Sequence, residues 1–163
     1  MNIFILSLLP AECAQYMLNL HVIKILLECT QMLSTALRVL GNDKVFDKCL
    51  YKMAHKNHPV TIWCRTSLAN FMWTLQLIDA LHEEWRFRYS HEKIHKSYTV
   101  SLYIRENIPT NFPETGLTPF ALCMPDIYKI PGDPVESYRN YYRGEKKHMA
   151  SWKKRERPDW FTV

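Results

Sequence analysis

Residues 18–33, LNLHVIKILLECTQML, decide the fold class. Apolar side chains fill most of the positions, and the polar ones, His21, Lys24, Glu28 and Gln31, recur at steps of three and four. That period belongs to an α-helix, and one this apolar around its circumference must be wrapped by other elements. The run reaches back to Pro10, whose missing N–H costs nothing in a first turn, and forward to Gly41, a helix stop. Residues 10–41 thus read as one long helix or as two joined near Asn19.

Outward from this run, NDKVFDKCLYKMAHKNHP (42–59) is polar and irregular, and Pro59 opens the next element. From Pro59 to about Tyr89, Ile62, Leu68, Phe71, Met72, Leu75, Ile78, Leu81 and Trp85 keep helical spacing, which predicts the second major helix. A weaker helical stretch covers about 91–105. Six prolines in the 27 residues from Ile108 to Pro134 predict an ordered, irregular excursion over the surface. A last helix restarts behind an Asp133 cap and Pro134. The N-terminal MNIFILSLLP reads as a buried segment, a short strand being one form for it. Glycine is scarce, with four in 163 residues, and 47% of the chain is hydrophobic, enough for one substantial core. The expectation is a mainly α, compact single domain over 1–163, with two long core helices and a basic, aromatic segment at about 134–163.

The five cysteines are odd in number and lack CxxC spacing, so they read as reduced core residues of an intracellular protein. The apolar start has no basic residues before it and is too short for a membrane span. The net charge of +5 is unevenly placed. Arg139, Arg143, Lys146, Lys147, Lys153, Lys154, Arg155 and Arg157 face only Glu145 and Glu156 within residues 139–157, which points to a polyanionic partner.

At about 100° per residue, His21, Lys24, Glu28, Gln31, Thr35 and Arg38 share one face of the first long helix. A solvent-facing stripe is the plain explanation. Against it, three groups able to hold or exchange protons fall within two turns, and Glu28 lies four residues after Lys24, close enough to pair with it. An acid or base near neutrality, a cation and a carboxylate together suit cleavage of a bond to a sugar C1′ or to a phosphate. His21, Lys24 and Glu28 are the candidate catalytic residues.

In YKMAHKNHPVTIWCR (51–65), His55, Asn57 and His58 precede a helix start that favours anions, Arg65 adds charge and Trp63 a stacking face. The pairs His55/His58 and His91/His95 have H-x-x-H spacing without a third ligand at an obvious interval, so no metal or other cofactor is expected. In the C-terminal segment, Tyr142, Arg143, Lys146, Lys147 and Trp152 combine phosphate-neutralising charge with rings that stack on bases.

The stretches HVIK (21–24), NHP (57–59), LTPFALCMPD (117–126) and YYRGEK (141–146) resemble those of a family of small phage and bacterial proteins, over nearly the whole chain. More distantly, the chain is similar to the endonuclease V type of pyrimidine-dimer DNA glycosylase. That resemblance implies an all-helical enzyme whose N-terminal α-amine attacks the sugar C1′, assisted by an acidic residue on the first helix. It would put His21 about where the carboxylate sits, Lys24 at a basic partner, and Glu28 one turn on. Asn2 is bulky enough to disfavour removal of Met1, and a histidine in place of a carboxylate shifts the chemistry towards proton transfer.

Three functions follow. The first is a glycosylase acting on a damaged or modified base in double-stranded DNA, with abasic-site lyase activity if an amine is the nucleophile, working intracellularly in a bacterial host if phage-encoded. The second is a non-catalytic nucleic-acid-binding or host-interaction protein using the same basic surface. The third is an enzyme on free nucleotides, with the helix start at Pro59 taking the phosphate.

Overall fold

The computed structural model describes residues 1–41 and 48–162. Among these the chain forms six α-helices: α1 (Pro10–Tyr16), α2 (Asn19–Leu40), α3 (Pro59–Thr66), α4 (Leu68–Tyr89), α5 (Lys96–Glu106) and α6 (Pro134–Tyr141). The fold is mainly α. Residues 42–47, which open the stretch read as irregular, lie outside the described part.

The first helical run is two helices. Pro10 stands at the first turn of α1, and the backbone turns extended at Met17 and Leu18, whose side chains are fully buried. Two of the carbonyls this break frees are taken by one side chain. Arg88 of α4 donates to Gln15 O at 2.7 Å, to Met17 O at 2.8 Å and to Asn19 Oδ1 at 3.2 Å. It is itself fully buried, its charge met by Glu84 at 2.8 Å, and Arg155 reaches the same carboxylate from the C-terminal segment. A buried cation persists when its charge is met and each of its nitrogens has a partner, as here.

The run expected as one helix from Pro59 to Tyr89 is divided at Ser67, although its apolar spacing continues across the break. Ser67 is extended (φ −140°, ψ 158°) and its side chain accepts from Asn70 N–H, capping α4. The backbone there pairs with the proline-rich segment: Leu68 N–H donates to Glu114 O, Ala69 N–H to Thr115 O and Glu114 N–H to Thr66 O. Trp63 and Trp73 pack on Phe120, and the Asn70 side chain bonds Trp63 O and Thr118, fixing that segment over α3 and α4. The segment is irregular as expected, with one short 3-10 turn at Asp126–Tyr128.

Helix α2 packs against α3, α4 and α5, and α1 against α4. By length and composition α2 could cross a membrane, but 72% of its most apolar window is buried inside the fold, as in a core helix. The C-terminal end of the polar face of α2 is covered too. Thr35 exchanges hydrogen bonds with Ala54, and Arg38 donates to Tyr51 O. The N-terminal segment is buried over Ile3–Ser7 without strand pairing. After α6 come a π turn (Tyr142–Lys146) and a 3-10 turn (Lys147–Met149). A side chain on Gly144 would meet the end of the Tyr128 ring, which would have to swing aside.

Candidate active site

The N-terminal segment crosses the polar face of α2 at its middle turn and leaves its own end there. Glu28 accepts the Asn2 N–H on Oε2 at 2.8 Å, and the α-amine of Met1 is 3.8 Å from the same oxygen. The other carboxylate oxygen lies 3.7 Å from Lys24 Nζ, the i,i+4 pairing that the spacing predicts. Asn2 is held in turn. Its side chain donates to Cys123 O and accepts from Tyr138 O–H and Ile3 N–H. Met1 is fixed by its side chain, whose sulfur accepts from the Thr61 hydroxyl.

These groups line a cavity of about 330 Å³ bounded by Met1, Asn2, Phe4, Leu20, His21, Lys24, Ile25, Glu28, His58, Cys123, Tyr141, Lys146 and Met149. The polar line of α2 and the NHP turn therefore share one groove. The far wall comes from the proline-rich segment and the turns after α6, where Lys146 lies over the Tyr141 ring at 4.7 Å.

The two histidines of the cavity differ. His21 is buried, stacked on Phe4 at 4.3 Å, and its Nδ1 is 2.5 Å from the Tyr142 hydroxyl. Burial, then the charges of Lys146 and Lys24, push its pKa down to about 3, while burial pushes that of Tyr142 well up. The pair is a hydrogen bond between two neutral groups. His58, only half-buried, caps α3: its Nδ1 accepts the Val60 N–H at 3.3 Å. Burial, then the Met1 amine and His55, lower its pKa, against a smaller opposing pull from Glu28, so it too is neutral at pH 7.

An amine, a carboxylate, a lysine and a neutral imidazole around one cavity can form and resolve a covalent bond to an electrophilic carbon. Among the described residues no group of three His, Cys, Asp or Glu is placed to hold a metal ion.

A profile of the pyrimidine dimer DNA glycosylases matches residues 1–97. The chain belongs to this family. No curated protein and no solved structure matches it. The glycosylase match spans Met1, α1 to α4 and the start of α5, and so takes in Met1, His21, Lys24, Glu28 and His58. The opposite wall, with Cys123, Tyr141, Lys146 and Met149, lies beyond it.

The remaining candidates are dispersed. His55 and Asn57 are exposed on the loop before His58, His55 with a positive φ of 48°. Arg65 donates to Lys56 O at 2.7 Å and braces that loop. Trp63 is buried, its indole N–H donating to Thr118 O, and Tyr142 is fully buried. Arg143 is committed to Trp160 O, Glu136 and Asn140, and Trp152 to Tyr16 O. Lys147 is exposed next to Lys146. Among the cavity residues that the sequence does not mark as site residues are Asn2, Cys123 and Tyr141. Cys123 and Tyr141 lie inside LTPFALCMPD and YYRGEK, so the signal for them was present in those stretches.

Proposed function

We propose that the protein excises a damaged pyrimidine from double-stranded DNA, with the α-amine of its first residue attacking the sugar C1′ and Glu28 managing the protons of that nitrogen. Family membership makes it a DNA glycosylase-like protein with DNA as its substrate. The finer reading rests on one observation, the Met1 amine 3.8 Å from the Glu28 carboxylate inside a cavity.

The steps balance without a cofactor. The unprotonated amine forms a bond to C1′ as the N-glycosidic bond breaks, and the base leaves as an anion that solvent protonates. Glu28 takes one proton from the new ammonium and returns it to O4′ as the sugar ring opens, which gives a protonated Schiff base. From there, loss of a C2′ proton expels the 3′ phosphate, the lyase reaction. α-Amines give up a proton more readily than lysines, which favours an N-terminal nucleophile. Lys24, Lys146 and Lys147 neutralise phosphates beside the cavity, and His21, locked to Tyr142, shapes the wall behind the nucleophile.

The test is a product assay on duplexes carrying ultraviolet photoproducts, uracil or oxidised pyrimidines, with intact mass identifying the free terminal residue. Cleavage of one N-glycosidic bond of the photoproduct, read as base release after photoreversal because the freed pyrimidine stays joined to its neighbour, together with strand nicking, is the expected result. Tight, salt-sensitive binding with no release from any duplex would leave a binding protein instead. Turnover of free nucleotides alone would leave the nucleotide enzyme.

A further inference from the structure

We infer that His58 is a neutral, tautomer-locked hydrogen-bond donor to the departing pyrimidine, meeting the negative charge that its carbonyl oxygen acquires as the N-glycosidic bond breaks. The inference rests on the amine-nucleophile reading, which leaves the base to depart as an anion and assigns no group to receive it.

The geometry supplies one. Nδ1 of His58 accepts the Val60 N–H as the cap of α3, so the hydrogen of the neutral ring sits on Nε2. With Nδ1 spent on the helix start, Nε2–H is the edge left for a ligand, and His58 lines the same cavity as Met1, Glu28 and Lys24. The cap also keeps the ring from working as a base, because a proton added at Nδ1 would displace the Val60 N–H. A neutral imidazole held at a helix start polarises an oxygen without giving up its proton. His21 cannot take this part, since its Nδ1 is engaged by Tyr142 and its face is covered by Phe4. The neighbouring cations Lys24 and Lys146 add to the field that favours a departing anion.

The bookkeeping of the step is simple. The electron pair of the broken bond leaves with the ring and spreads onto its carbonyl oxygen. His58 shares its Nε2 hydrogen with that oxygen and keeps it, and solvent then protonates the base.

An abasic site has no base to lose, so its reaction with the Met1 amine bypasses His58. That separates the inference from the reading beneath it. The experiment compares wild type, His58→Asn and Glu28→Gln on two duplexes, one with a photodimer and one with a preformed abasic site, scoring N-glycosidic cleavage, as base release after photoreversal of the dimer, and borohydride trapping, with thermal melting run alongside. Asparagine is a good helix cap, so His58→Asn keeps the start of α3. Loss of one such donor costs roughly 100- to 1,000-fold in rate. His58→Asn is expected to lose that much base release from the dimer, to trap the abasic site at the wild-type rate and to melt like wild type. Undiminished base release in His58→Asn, or equal impairment on both duplexes, would overturn the inference. Wild type that traps neither duplex would overturn the amine reading and the inference with it.

Discussion

Under the proposed reading the chemistry turns on Glu28, which touches the Met1 amine, the Asn2 N–H and Lys24. Glu28→Gln keeps the shape and removes the proton carrier, so base release and Schiff-base trapping should both fall roughly 100- to 10,000-fold in single-turnover assays while DNA affinity holds. His21 has a different signature. Its folded pKa, lowered to about 3, lies below the unfolded value near 6.5, so between these the unfolded chain binds the extra proton and stability is lost as the pH falls through that window. Wild type should therefore lose stability faster than His21→Gln on acidification below pH 6.5, by up to about 1.4 kcal/mol per pH unit, as read by denaturant melts. Helical spacing was sufficient to put His21, Lys24 and Glu28 on one line, and residue type to give the Lys24–Glu28 pair. It could not say at which turn the N-terminal segment crosses that line. The resemblance aligned His21 with the assisting carboxylate, whereas the crossing falls at Glu28 and leaves His21 bonded to Tyr142.

Among the elements, the two long helices were legible because buried helices carry their period in sequence, and the α1–α2 break was legible as a join near Asn19. The start of α1 is marked by Pro10 and that of α3 by Pro59. Ser67 carries no such mark. The division of α3 from α4 depends on Glu114 and Thr115, some 47 residues further on, and periodicity is blind to a partner at that distance. The C-terminal basic run shows the same limit, since charge in a sequence does not reveal which cations the fold has already used. Arg139 donates to Leu6 O, Arg143 to Trp160 O and Glu136, and Arg155 to Glu84, whereas Lys146 lines the cavity and Lys147 is exposed. Arg143→Ala should therefore cost about 1–3 kcal/mol in unfolding experiments. Lys146→Ala and Lys147→Ala should leave melting unchanged, and each should lower the slope of log K against log salt for DNA binding by about one.

At the scale of the whole molecule, the site exists because distant segments close on one another. Arg88 holds the α1–α2 junction from α4, Arg155 brings the C-terminal segment to the same carboxylate, and Asn19 N–H bonds Ser151 O. Arg88→Ala would leave buried carbonyls without donors and Glu84 with one partner, and should cost about 3–5 kcal/mol of global stability, read as a lower denaturant midpoint. These closures place the amine of residue 1 against residue 28 and opposite residues 123–149, a meeting that no local pattern in the sequence specifies. The most direct test of the central claim is borohydride trapping of the purified protein on a photodimer duplex, followed by proteolysis and mass spectrometry of the adduct. The account predicts a sugar fragment on the α-amine of the first residue, whether Met1 or, after its removal, Asn2. Glycosidic cleavage with no adduct, or an adduct on Lys24 or Lys146, would contradict it.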